Sequence, residues 1–299
     1  MSELLNEKKK TLQLRYNHNH GADGKFTSGG GGGGSGSGGS NGSGGSGGSN
    51  SGSSKNYKNA VAAETKKVME KASNDVQPFK KEESINMEKV KQRGGVDDAG
   101  AKECAAIAEN IYNEAAAHEP QITADVISSV EGVDGKMYGL KARLKQPTSM
   151  AGKIGQDSKE DNLTFTEAGD NIKDAVRYTA IVDEKNFTNN YNTIKSSLED
   201  KGYKEVRCKN FYELYANGKS EQKAVQCIYE DPQGYKFELQ FHTPTSQGAK
   251  ELNHPLYEEQ RAATTSNERK IELGKEMREI GSNVSDPPGV LTIQSHREV

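Results

Sequence analysis

The chain has no tryptophan, three cysteines, eight prolines and only 31% hydrophobic residues over 299 positions. Each shortage excludes something. Cys104, Cys208 and Cys227 include no CxxC pair, so neither a secreted disulfide framework nor a zinc site is expected. Reduced, idle thiols in a reducing compartment are expected instead. No apolar run reaches the roughly 20 residues that a membrane helix needs. The opening MSELLNEKKKTLQLRY lacks the apolar stretch of a signal peptide. A soluble, cytoplasmic chain with no membrane partner is predicted. The formal net charge of −3 does not describe a general nucleic-acid coat, but it leaves room for a local basic pocket.

Composition divides the chain. Residues 1–28 form a short polar segment ending in Asn17-His18-Asn19-His20 and Gly24-Lys25-Phe26-Thr27-Ser28. Residues 29–54 contain only Gly, Ser and Asn. Such a run has no apolar surface to offset its ordering entropy and reads as a disordered linker, with a coil span of roughly 25–30 Å. Residues 55–130 read as helical. Tyr57, Val61, Val68 and Met69 approximate one stripe, and Ala101 to Ala117 is Ala-rich with Ile107 and Ile111 one turn apart. Residues 131–281 alternate strand-like and helix-like segments, and residues 282–299, with Asp286-Pro287-Pro288-Gly289, read as a flexible tail. The fold class expected is α+β, a mixed β-sheet flanked by helices.

The chemistry concentrates in the fourth of these segments. In Tyr138–Lys145, read as a strand, Lys141, Arg143 and Lys145 share one face. Three cations in a row fit either an anion between them or a lysine-protected sheet edge. Ser149 and Lys153 follow on a helix that starts after Pro147 and add donors for an anion. A second strand begins near Asp174 and runs to Val182, with Arg177 on its polar face. A carboxylate at the mouth of a strand is well placed to hold Mg²⁺ beside phosphate oxygens. A hairpin follows, Ala224–Tyr229 and Tyr235–Thr243, about the turn Asp231-Pro232-Gln233-Gly234. On its second strand Phe237, Leu239 and Phe241 face one way and Glu238, Gln240 and His242 the other. That polar face is either a solvated sheet surface or a pocket floor.

Three motifs in this order, between Met137 and Arg261, resemble the RelA/SpoT synthetases, a nucleotidyltransferase-like family. They are Arg143-x-Lys145-x3-Ser149-x3-Lys153, Asp174-x2-Arg177, and Glu238-x-Gln240-x2-Thr243. The stretch from His242 through His254 to Arg261 resembles the toxin-like branch found in bacterial and phage polymorphic toxins. The segment around His18, His20 and Phe26 resembles parts of phage head-associated proteins. The resemblance implies transfer of pyrophosphate from ATP, with Mg²⁺, to a hydroxyl of a nucleotide or of tRNA. It implies that Arg143 contacts adenine and that Lys145, Ser149 and Lys153 hold phosphates. Asp174 and Glu238 would hold the metal, Glu238 would activate the acceptor hydroxyl, and Arg177 would support the ATP side. Gln240, His242, His254 and Arg261 are candidate substrate contacts. A bacterial cytoplasmic setting, carriage in a phage particle, an immunity protein and phage head proteins as partners are implied in the same way.

Two departures stand out. Gln222 occupies the position where the family places a tyrosine that stacks on the acceptor base, with Tyr212 and Tyr215 as candidate replacements. Residues Gln156 to Phe165 exceed the family spacing and read as a polar loop over the pocket. His254, Tyr257, Glu258 and Arg261 fall on one helical face, either as substrate contacts or as an ion-paired surface. Two functional alternatives remain: another nucleotidyl- or ribosyl-type transferase on a related pocket, and a non-enzymatic phage structural protein with a degenerate domain.

Overall fold

The computed structural model describes residues 51–262 and 265–297, with side chains from Tyr57 onward. Residues 1–28 and most of the Gly/Ser run lie outside that range. Residues 51–54, read from the sequence as linker, form the first turn of helix α1 (Ser51–Lys71), where propagation adds a backbone bond for each residue fixed. Val61 and Val68 of α1 are buried, whereas Met69, read as part of the same stripe, is exposed.

Helix α2 (Met87–Gly94) stops at Gly95, whose φ of 63° is the left-handed cap that glycine adopts at low cost. Helix α3 (Asp98–Glu131) is far longer than the Ala-rich segment that announces it. Asp97 caps it by accepting from Gly100 N at 2.8 Å. Its 34 residues span about 50 Å. Ala101, Cys104, Ala108, Tyr112, Ala115, Glu119, Ile122, Val126 and Val130 recur every three or four positions and bury one face. Pro120 removes one helical bond, and the buried turns on either side carry the helix past it.

Strand β1 (Lys136–Met137), a 3-10 turn (Leu140–Ala142), α4 (Pro147–Asp161) and α5 (Phe165–Asp170) follow. Next come β2 (Arg177–Ile181), α6 (Phe187–Asp200), β3 (Lys204–Asn210) and α7 (Phe211–Ala216). The hairpin strands are β4 (Val225–Glu230) and β5 (Lys236–His242), and α8 (Pro244–Arg261) and α9 (Asn267–Gly281) complete the set. The fold is α+β. One mixed five-stranded sheet runs in the order β1-β2-β5-β4-β3. β2 pairs with β5 in parallel; the other neighbours are antiparallel. The Asp231–Gly234 turn forms as its residues predict. The Asp231 carboxylate accepts from Gln233 N at 2.9 Å and Tyr235 N at 2.8 Å, and Gly234 takes φ 91°.

One sheet face meets α3 and α6. Phe237 is ringed there by Tyr178, Tyr203 and Tyr229, each with its centroid 5.8–5.9 Å away. Tyr191 of α6 meets Phe241 edge-on. The Tyr178 hydroxyl is hydrogen-bonded to Thr123 of α3 at 2.6 Å. The opposite face carries α8, and α1 lies on α8. At that crossing Gly248 is required, because a Cβ there would stand 2.8 Å from Thr65 N. Among the described residues no helix is long and apolar enough to cross a membrane.

The segment read as a flexible tail packs instead. Val284, Val290 and Ile293 are buried. Asn210 donates to Val290 O at 2.8 Å and Ile293 O at 2.9 Å while its Oδ1 caps α7 through Tyr212 N at 3.0 Å. Four turn-forming residues in a row, Asp286 to Gly289, do not reveal this, because the anchor lies in β3. Asn210→Ala is expected to cost about 2–3 kcal/mol, from one lost cap and two orphaned carbonyls, and to expose residues 282–297 to protease. Urea unfolding with limited proteolysis checks this; an unchanged midpoint contradicts it.

Candidate active site

The parallel register of β2 and β5 sets Arg177 beside Glu238, Thr179 beside Gln240 and Ile181 beside His242. Strand alternation sends Tyr178, Ala180, Phe237, Leu239 and Phe241 to the core. The polar members therefore collect on the α8 side. Glu238 is buried, and both its carboxylate oxygens accept protein donors, the amides of Gln226 from β4 and of Gln240. Gln240 Oε1 in turn accepts from Lys250 Nζ of α8 at 2.5 Å. Burial lowers the Lys250 ammonium below its usual range, Glu238 pulls it back up, and Arg177 lowers it again. The three groups thus share one field.

His242 lies behind this network and is 1% exposed. Nε2 approaches Gln240 Oε1 at 3.4 Å and Nδ1 approaches Ser246 Oγ at 2.9 Å. An amide oxygen only accepts, so Nε2 carries the proton and Nδ1 accepts from the Ser246 hydroxyl. Burial first, and Lys250 second, hold the imidazole well below its usual pKa. It is a neutral support for Gln240, not a surface that meets substrate.

At the N-terminal mouth of β2, Lys145 Nζ donates to Asp174 Oδ2 at 2.7 Å. The backbone brings them together. Lys145 N donates to Ala175 O at 2.9 Å and Arg177 N to Arg143 O at 2.8 Å, so residues 143–145 flank β2 on the side away from β5. Burial alone would raise the Asp174 carboxyl, but Lys145, then Lys153 and Arg177, hold it below the usual carboxylate range. Burial lowers Lys145, Asp174 restores part of that, and Lys153 and Arg177 lower it further. Lys153 also pairs with Asp157 one turn on. Ser149, half-buried, lies in the first turn of α4 one helical turn before Lys153. Asp174 therefore lies in the loop that enters β2, not on the strand expected to begin there, with Lys145, Lys153 and Arg177 in its field, while Glu238 lies on β5 in register with Arg177 and in the field of Lys250.

No protein-family profile matches the chain, and no curated protein matches it. The solved structures offer a distant likeness. One chain of a crystal structure titled as the complex between the Type VI effector Tas1 and its immunity protein is 17% identical, with a TM-score of 0.39. The alignment covers 58% of this chain and 94% of that chain. A superposition that loose fixes neither fold family nor activity.

Several sequence expectations change. Residues Tyr138–Lys145 are not one strand. Gly139 takes φ 71° and a 3-10 turn follows, so Lys141 is exposed while Arg143 and Lys145 are buried. Arg143 does not reach the cluster. Its guanidinium pairs with Glu119 of α3 and donates to Gln77 O at 2.9 Å and Leu140 O at 3.0 Å. The polar stretch from Gln156 is no loop: α4 runs to Asp161 and ends on Asn162 in the left-handed conformation. His254 is exposed, and Arg261 pairs with Glu258 at 3.0 Å and lies over the Tyr257 ring. That is the ion-paired surface, although Arg261 and Asp174 both lie in the field of Arg93. Tyr212 is fully buried against Phe187, and Tyr215 is held between Lys223 and Arg278. Neither is free to replace the tyrosine missing at Gln222. Lys250 and Gln226 belong to the network and lie outside the site residues expected from the sequence. Alternation along β4 opposite Gln240, and one-turn spacing from Ser246 to Lys250, are the signals that mark them.

His242 predicts a pH dependence. Its folded-state pKa lies below the unfolded value of about 6.5, so the unfolded chain binds the extra proton first. Stability is full above that pH and falls as pH drops through it, by up to about 1.4 kcal/mol per pH unit. Urea unfolding of wild type and His242→Gln should show the wild type losing its advantage on acidification; a pH-independent difference contradicts the buried neutral imidazole.

Proposed function

We propose that the polar face of β2 and β5 binds ATP with Mg²⁺ and transfers the β,γ-diphosphate to a hydroxyl of a nucleotide or of tRNA. In this reading residues 131–281 form a RelA/SpoT-like nucleotidyltransferase domain. The mixed sheet agrees with it, and the protein acts as a toxin-type effector, phage-carried and held in check by an immunity protein in the bacterial cytoplasm. The observation that carries the reading is the Lys145–Asp174 pair at the mouth of β2, the strand whose Arg177 is in register with Glu238.

The donor chemistry fits Mg²⁺. Asp174 and Glu238 are hard oxygen ligands, and the Asp174 carboxylate is held ionised at neutral pH. When bound, the ion supplies charge neutralisation for the phosphate oxygens. The side chains supply the rest. Lys145, Lys153 and Ser149 are placed to hold phosphates, and Arg177 and Lys250 add charge where negative charge builds on the transferred group. The acceptor hydroxyl oxygen bonds to the β-phosphorus as the bond from that phosphorus to the α,β-bridging oxygen breaks. AMP leaves with the electron pair, and the hydroxyl proton passes to Glu238. Gln226 and Gln240 fix the Glu238 carboxylate for that role. Arg143 belongs to the fold in this reading, because its charge is engaged by Glu119. With Tyr212 and Tyr215 engaged elsewhere, recognition of the acceptor does not rest on a ring at the Gln222 loop.

The test is transfer of label from γ-³²P-ATP with Mg²⁺ to guanine nucleotides, adenine nucleotides or bulk tRNA. Label is expected in one pool, with Glu238→Gln slowing transfer roughly 100-fold or more while ATP binding persists, and Lys145→Ala weakening ATP binding. Label in no pool with wild-type protein overturns the reading.

A further inference from the structure

The three cysteines share no sequence motif, yet two of them meet. Cys208 of β3 and Cys227 of β4 are directly opposite in the antiparallel register. Glu205 joins them through a backbone irregularity. Residues three apart on a regular strand face opposite ways, but the register of β3 shifts between Glu205 and Arg207. That bulge turns Glu205 onto the face of Cys208. The two thiols and the Glu205 carboxylate lie within 4.8 Å of one another. Both cysteines are buried, and the Glu205 side chain is 1% exposed. His296 adds an imidazole from the C-terminal segment, with Nε2 3.0 Å from Glu205 Oε1. Its backbone is bridged to Cys208 in both directions, at 3.1 and 2.9 Å.

We propose that Glu205, Cys208, Cys227 and His296 form a binding site for a thiophilic divalent cation of the zinc class. Two sulfurs, one imidazole and one carboxylate are the ligand types such an ion takes. The surroundings suit it. Tyr191 and Tyr229 hydroxyls donate to Glu205 Oε2 at 2.8 and 3.0 Å and orient the carboxylate as an outer ring of donors does in metal centres. Lys195 Nζ, half-buried and 2.9 Å from Glu205 Oε1, is the positive charge on that carboxylate which a bound cation would displace. Binding replaces each S–H bond by a sulfur–metal bond and releases both protons to solvent, so affinity rises with pH. The site ties β3 and β4 to residue 296 and so clamps the C-terminal segment. It lies on the opposite sheet face from Glu238, so it is independent of ATP chemistry.

Cobalt(II) titration of the full chain under phosphine reduction tests this. One cobalt per chain is expected, with a thiolate-to-cobalt charge-transfer band that zinc abolishes. The band should vanish in Cys208→Ser and in Cys227→Ser, and His296→Ala should weaken binding roughly tenfold. Zinc should also slow proteolysis of residues 282–297. Wild-type protein without the band overturns the proposal, whatever the folding of the variants. So does a band that persists in Cys227→Ser.

Discussion

The candidate site depends on the parallel pairing of β2 with β5. A one-residue slip in that register would turn Glu238, Gln240 and His242 into the core and push Phe237, Leu239 and Phe241 out. The aromatic ring around Phe237 forbids it, because Tyr178, Tyr203 and Tyr229 are built around its position. Core packing on one face thus fixes, to within a residue, which charges face α8 on the other.

That constraint explains how buried charge is tolerated. Burying an unpaired charge is costly, and here each charge in the cluster has a partner of opposite or complementary character. Asp174 has Lys145, and Glu238 has two amides with Lys250 behind Gln240. Arg143 is removed from the cluster by Glu119. The cations left nearest the two carboxylates come from separate elements, α4, β2 and α8. A multiply charged anion bound among them would relieve the repulsion between Lys145, Lys153 and Arg177.

How much was legible follows from local chemistry. The β2 strand and the β4–β5 hairpin were, because period-2 alternation and the Asp231–Gly234 turn are local signals. Lys145 and Asp174 do meet, in the order in which their motifs follow one another. The fate of Arg143 was not, because it is decided by Glu119, a residue on a helix that the alternating pattern does not mention. Gly139 inside the apparent strand was the available warning. The packed C-terminal segment was hidden for the same reason, since Asn210 anchors it from β3. The meeting of Glu205, Cys208 and Cys227 needs both a hairpin register and a bulge, neither of which spacing encodes.

The central claim is that the triphosphate of ATP lies on the polar face of β2 and β5. A crystal structure with a non-hydrolysable ATP analogue and Mg²⁺ tests it most directly. The account predicts phosphate oxygens within hydrogen-bond reach of Lys145, Lys153 and Arg177, with the metal on Asp174 and Glu238. Phosphates bound elsewhere on the chain, with the Lys145–Asp174 pair undisturbed, would contradict it.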